Sequence, residues 1–285
     1  MGTHVKVGSG LLTGLLPRAR VLGAETLQVF VGNPRGWALS AGDPAVDAAF
    51  REACAADGVR VFVHAPYLVN LGSPTTATYE RSVASVAHNL ARAARLGAEG
   101  VVVHTGSCVD AGGYHAAMRR VREGLMPVLD RLDPDGPRLL LESTAGQGRS
   151  LCATVDDLGA YLNALDRHPR VGVCFDTCHA FAAGEPLDEP GGTTTTLDRL
   201  VAVAGAERLR LVHANDSHDG RGSGKDRHER IGEGRIGLPA FTELLAHPAT
   251  AGVPLVLETP GSRDPGDPQL PLLKRLRDPA GEARP

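Results

Sequence analysis

The fold this sequence predicts is a parallel (β/α)8 barrel built as one domain, and three observations carry that expectation. Eight short β-branched, apolar runs alternate with longer Ala/Leu/Arg-rich segments of helical spacing. The runs are almost continuously apolar rather than alternating, as strands covered on both faces of a parallel sheet are. A chain of 285 residues accommodates eight such units in a single barrel. The alternative, a doubly wound open sheet, calls for a glycine-rich phosphate loop after the first strand, and none follows it.

In chain order the strand candidates are THVKV (3–7), TLQVFV (26–31), VRVFVH (59–64), GVVVH (100–104), RLLLE (138–142), GVCFD (172–176), LRLVH (209–213) and PLVLE (254–258). Helices between them carry start signals. Asp43-Pro44 precedes AVDAAFREACAAD, Ser73-Pro74 precedes a segment running to Leu96, and Thr154 with Asp157 forms a capping-box variant. The barrel is expected over 1–262, followed by a tail over 263–285 rich in Pro, Gly and charge, with a short helix around LPLLKRLRD and then fraying.

Composition narrows the class. No run of 18 apolar residues occurs, and MGTHVKVGSG lacks the regions of a secretory signal, so a soluble, cytoplasmic protein is expected. The five cysteines are odd in number and scattered, which suits a reducing compartment. Cys174 and Cys178 are spaced CxxxC, a soft-ligand spacing, but read better as small packing residues at a strand end. A net charge of −3 argues weakly against a general polyanion binder, although bound cations would reverse the sign locally.

Six of the eight runs end in the same manner, on His64, His104, Glu142, Asp176, His213 and Glu258. In a barrel those ends form one ring at the face where active sites of this fold lie. Residues 34 to 45 positions apart in the chain thus converge. A lone strand-end histidine is usually a hydrogen-bonded core or rim residue, but six metal-competent side chains in phase would require six separate accidents.

Imidazole with carboxylate suits zinc or manganese. His179 follows Asp176 by three, and the loop HANDSHDGRGSGKDRHERIGEG adds Asp226 and His228, making nine candidates. Read alone, that loop could equally be a solvated charged segment. Nine ligands exceed the needs of one ion and suit two or three. Four carboxylates with three divalent ions leave a positive cavity that attracts an anion such as phosphate.

At these residues the sequence resembles the endonuclease IV family of apurinic/apyrimidinic endonucleases. The resemblance runs nearly end to end, through HAPYLVNLGSP (64–74), VVVHTGS (101–107), LESTAGQG (141–148), GVCFDTCHAFAAG (172–184), HANDSHDGRGSGKDRHERIGEGRIG (213–237) and LVLETP (255–260). It implies a (β/α)8 barrel with three zinc ions, manganese being possible at one or more sites. His64, His104 and Glu142 would hold the first ion. Glu142 would bridge to a second, held also by Asp176, His213 and Glu258, and His179, Asp226 and His228 would hold the third. The implied reaction is hydrolysis of the DNA phosphodiester 5′ to an abasic site, leaving a 3′-hydroxyl, with removal of blocking groups from 3′ ends. Glu142 would be catalytic, fixing the spacing of two ions and orienting the nucleophile.

The family bends the duplex and flips the abasic nucleotide out. Arg35 in NPRGW, with Tyr67 and Leu68 in HAPYLVN, match its wedge residues. Tyr67 taken alone would be a barrel-rim packing residue. Arg221, Lys225, Arg227 and Arg230 are candidate phosphate contacts. The expected partner is double-stranded DNA with abasic sites or blocked 3′ ends, met by a monomer. An extra His218 and the segment KVGSGLL, where the family often has a Gly-Gly pair, depart from the pattern. Two other readings remain open from the residues themselves. A sugar isomerase or epimerase with one ion on Glu142, Asp176, His213 and Glu258 leaves five candidates without work. A non-catalytic zinc-stabilised DNA-binding protein would need closed tetrahedral sites and would unfold on chelation.

Overall fold

The computed structural model describes residues 1–5, 8, 10–109 and 113–278. Strand β1 (Gly2–His4) is followed by a π-helical turn over Leu11–Leu15 and α1 (Leu16–Leu22), then β2 (Thr26–Val29), α2 (Pro44–Ala56), β3 (Arg60–His64), α3 (Thr76–Leu96), β4 (Gly100–His104), α4 (Tyr114–Leu129), β5 (Arg138–Glu142) and α5 (Val155–Ala164). The second half runs β6 (Val171–Asp176), α6 (Thr177–Ala183), α7 (Gly192–Ala204), β7 (Leu209–His213), β8 (Asp216–Ser217), β9 (His228–Glu229), α8 (Leu238–Ala246), β10 (Leu255–Leu257) and α9 (Gln269–Arg277). Strands β1 to β7 and β10 close a barrel in which every pairing is parallel. The seam is shut by β10 against β1, with Gly2 opposite Val256 and Thr3 opposite Leu257.

Local chemistry accounts for the helix starts. Asp43 caps α2, its carboxylate accepting from the Ala45 N–H at 2.8 Å, with Pro44 in the first turn. Thr154 and Asp157 form a reciprocal capping box on α5. The expected start at Ser73-Pro74 is corrected. The α3 N-cap is Thr75, while the Ser73 hydroxyl accepts from the Thr75 N–H and shapes the turn before the helix. The first strand is expected over 3–7 but spans Gly2–His4; positions 6 and 7 lie outside the described residues. Gly2 is required there, because a Cβ would lie 1.6 Å from the Thr26 carbonyl oxygen of the next strand. The second run ends as a strand at Val29 rather than at residue 31.

Side chains alternate across each strand, and that alternation makes the barrel interior. Phe62, Val102, Leu140, Cys174, Leu211 and Val256 form a separate buried cluster inside it. Each stands two residues before one of His64, His104, Glu142, Asp176, His213 and Glu258. The apolar plug and the polar ring are therefore successive layers of one inward face, the plug closing the lower barrel to water. Outward-facing residues such as Val101, Val103, Leu139 and Leu141 pack against the helices in the larger core. The helix expected in the tail is α9. It buries Leu270 and Leu273 in that core and ties to the first βα unit by Lys274 Nζ donating to the Gly23 carbonyl at 2.6 Å. The fraying expected beyond it falls on residues 279–285, outside the described residues. No helix among the described residues is long and apolar enough to cross a membrane.

Candidate metal centre

The six strand-end residues do converge, and three others join them. His64, His104 and Glu142 offer ligand atoms within 4.8 Å of one another. So do Glu142, Asp176, His213 and Glu258, and so do His179, Asp226 and His228. All nine sequence candidates fall into these three groups, and Glu142 belongs to two.

Glu142 has no exposed surface, and its two oxygens face different ways. Oε2 lies 3.2 Å from His64 Nε2 and 3.2 Å from His104 Nε2, while Oε1 lies 3.0 Å from His213 Nδ1. That is the disposition of a carboxylate shared between two sites. Burial would raise its pKa, but the imidazoles of His213 and His104 hold the carboxyl well below its usual range.

Asp176 and His179 answer to the point where β6 turns into α6. Asp176 ends the strand and caps the helix, its Oδ1 accepting from the His179 N–H at 2.8 Å, so the same turn aims both side chains. His179 Nε2 and His228 Nε2 each lie 3.1 Å from Asp226 Oδ1. Both nitrogens are buried and make no hydrogen bond of acceptable geometry among the described residues. Two orphaned imidazole nitrogens around one carboxylate oxygen fit a shared cation.

Other contacts set which ring nitrogen is bare. His64 Nδ1 is 2.7 Å from the Ala65 carbonyl and His179 Nδ1 is 3.0 Å from the Ser143 carbonyl, so each donates there and leaves Nε2 for ligation. The donor set of neutral imidazoles and ionised carboxylates fits zinc or manganese.

Cys174 is part of the apolar plug and Cys178 is buried on α6. Burial pushes both thiols up to about 12, as packing residues require. Cys178 nevertheless lies in a possible ligand group with Asp176 and His228.

A cleft of about 760 Å³ opens beside the groups, lined among others by His4, Phe30, Arg35, Tyr67, His228, Glu258 and Arg263. Tyr67 is 51% exposed and Leu68 37%, so both stand on the rim rather than in the core. The Tyr67 ring sits 5.2 Å from that of Phe30 and 6.0 Å from that of His104. Burial and then Glu258, Glu142 and Asp226 push its phenol up to about 12, so it stays neutral. The four basic residues expected as candidate phosphate contacts are each ion-paired. Arg221 holds Glu189 at 2.6 Å, Lys225 and Arg227 both hold Asp219, and Arg230 holds Asp267 at 2.8 Å. They brace the long loop, and none is among the residues lining the cleft.

Comparison with known proteins finds relatives along nearly the whole chain. Residues 16–278 match the xylose isomerase-like TIM barrel family. A protein of Streptomyces coelicolor named probable endonuclease 4 is 56% identical over 98% of this chain and 95% of its own. The chain belongs to the endonuclease IV family. It is therefore an enzyme, a nuclease. A second relative named probable endonuclease 4, from Methanoculleus marisnigri, is 42% identical over 91% of this chain and 92% of its own. The crystal structure of endonuclease IV from Thermus thermophilus superposes with a TM-score of 0.83 at 35% identity, covering 98% of this chain and 97% of that one.

Within this endonuclease IV barrel, sequence reasoning missed four polar residues around the groups. His4 and Gln28 face inward from β1 and β2, so all eight barrel strands present a polar side chain at this level. Asn215 donates from Nδ2 to Asp176 Oδ2 at 2.7 Å and accepts from the Glu258 N–H at 2.9 Å. Asp216, fully buried, accepts from the backbone N–H groups of Ser217, Gly232, Gly234, Ile236 and Gly237. It staples both ends of the loop that carries Asp226 and His228. The available signal was the packing of polar residues in HANDSH, which is more than a ligand alone requires.

Proposed function

We propose that the chain cleaves double-stranded DNA on the 5′ side of abasic sites, leaving a 3′-hydroxyl and a 5′-deoxyribose phosphate, and trims blocked 3′ ends. The observation that carries this is the division of nine ligand-type side chains into three groups joined through Glu142, beside an open cleft. His64, His104 and Glu142 would hold one zinc, Glu142, Asp176, His213 and Glu258 a second, and His179, Asp226 and His228 a third, manganese being able to replace one or more. Bound zinc would lower the pKa of a coordinated water toward about 7 and screen the phosphate charge.

The chain's own residues do the rest. Glu142, without solvent contact, stays ionised and fixes the spacing of two groups. The apolar plug excludes water from below. Arg35 and Arg263 line the cleft with no ion-pair partner among the described residues and are placed to meet a phosphodiester backbone. Arg221, Lys225, Arg227 and Arg230 would contact phosphates by exchanging their carboxylate partners. Tyr67 and Leu68 would fill the gap left by a flipped nucleotide, whose extrusion costs least where no base is stacked. The enzyme would act as a cytoplasmic monomer.

Incubation with a duplex carrying one abasic site should give a single nick 5′ to it, abolished by a chelator and restored by zinc. Elemental analysis should find close to three ions per chain, a count taken from the three groups. Cutting that survives complete metal removal, or a count near one ion, would refute the reading.

A further inference from the structure

The carboxamide of Gln28 is fully buried among His213, Glu258 and His4. Its Oε1 lies 2.8 Å from His213 Nε2, and its Nε2 lies 2.7 Å from Glu258 Oε1 and 3.0 Å from His4 Nδ1. His4 Nδ1 is itself 2.7 Å from Glu258 Oε1. Against an ionised Glu258 these contacts set one arrangement of protons, in which Gln28 Nε2 and His4 Nδ1 are two donors converging on Glu258 Oε1 and their own 3.0 Å approach is not a hydrogen bond. An ionised carboxylate only accepts, so the amide nitrogen and not the oxygen must face Glu258. The amide oxygen then faces His213, whose Nε2 must carry the proton that fills it. In the neutral ring that a metal requires, His213 Nδ1 is left bare, and Nδ1 is the atom 3.0 Å from Glu142 Oε1 and 3.3 Å from Glu258 Oε2. On His4, a 2.7 Å approach to a carboxylate oxygen requires the proton on Nδ1. Glu258 Oε1 is thus held by two N–H donors, and Oε2 alone is turned toward His213.

We infer that Gln28, backed by His4, is a positioning residue for metal binding: one carboxamide decides which nitrogen of His213 and which oxygen of Glu258 face the ion. The inference rests on the reading that Glu142, Asp176, His213 and Glu258 hold a metal. Rotating the amide by half a turn would set its oxygen against the carboxylate and demand a proton on His213 Nδ1, which removes that nitrogen as a ligand. Outer contacts of this kind typically change metal affinity by about 10- to 100-fold.

Gln28→Met keeps the side-chain volume and removes both hydrogen bonds. In zinc-reconstituted protein it should bind the ion of this group about 10- to 100-fold more weakly in competition with a chelator. The visible bands of the cobalt-substituted protein should also shift, because they report coordination geometry and not packing. His4→Asn, which retains a donor near the Nδ1 position, should keep wild-type affinity, whereas His4→Phe should lose part of it. Wild-type affinity and an unchanged cobalt spectrum in Gln28→Met overturn the inference. If Gln28→Met does not fold, equal zinc affinity in His4→Asn and His4→Phe overturns it. Wild-type protein that takes up no metal overturns the underlying reading instead.

Discussion

Glu142 combines complete burial with four imidazoles within 3.3 Å of its oxygens, those of His64, His104, His179 and His213. Its charge, more than its shape, is what those rings need. Glu142→Gln should therefore fold and lose cleavage by on the order of a thousandfold, the upper range for removing one group from a preorganised electrostatic site. Turnover of abasic duplex within a few-fold of wild type would remove Glu142 from the mechanism. A second consequence concerns protons. Burial opposes the charge of His228, but the Asp226 carboxylate 3.1 Å away and the field of Asp176 raise its pKa from 6.5 to about 9 in the metal-free protein. His179 and His213 are raised also, against burial, by Asp176 and Glu142 and by Cys174, Glu258 and Glu142 respectively. A raised histidine binds a proton that the unfolded chain releases, so its stabilisation is whole below pH 6.5 and is lost as pH climbs through about 9. The unfolding midpoint of chelated protein should fall across that interval, and the zinc-loaded protein should lack this fall because ligation requires unprotonated rings. A midpoint of the chelated protein that rises from pH 6.5 to 9 contradicts the assignment.

The loop between β7 and α8 shows how a long charged segment is pinned so that Asp226 and His228 meet His179. Asp216 accepts five backbone N–H groups, and at Gly234 a Cβ would lie 2.4 Å from Asp216 Oδ1, so only glycine passes there. Asp216→Ala strands those donors at about 1–3 kcal/mol each unless the loop loosens. The variant should lose one ion per chain, that of His179, Asp226 and His228, and exchange the amides of 232–237 faster. Unchanged metal content and exchange would show that the staple is dispensable. Six strand ends were readable from sequence because a ligand-type residue closes an apolar run, and Asp43 and Thr154 because short polar caps announce themselves. His4 was hidden because Val5 and Val7 extend the apolar pattern past the true strand end. Gln28 was hidden between Leu27 and Val29, where an amide signals nothing until its cross-barrel neighbours are known. The ion pairs that occupy Arg221 and Arg230 depend on tertiary placement of Glu189 and Asp267, and those of Lys225 and Arg227 on a loop path that brings them back to Asp219.

Across the molecule, a net charge of −3 must be reconciled with a polyanionic substrate. The cleft does so locally, with Arg35 and Arg263 on its walls without an ion-pair partner among the described residues, the ligand-type groups at its side and Tyr67 on its rim. Tyr67→Ala should weaken binding of abasic duplex by about tenfold, within the range for one aromatic stacking contact. Binding of intact duplex should change little, so discrimination falls. Anisotropy titration of both duplexes at one salt concentration checks this, and equal losses on the two would deny Tyr67 a part in recognition.

The seam between the first and last barrel strands brings His4 against Glu258 across 254 residues of chain. During synthesis, a polypeptide that has emerged only through β7 lacks Glu258 and cannot assemble the second group. Under the proposed function, hydrolytic competence would be deferred to the moment the cylinder shuts, and a prematurely terminated product would not cut DNA.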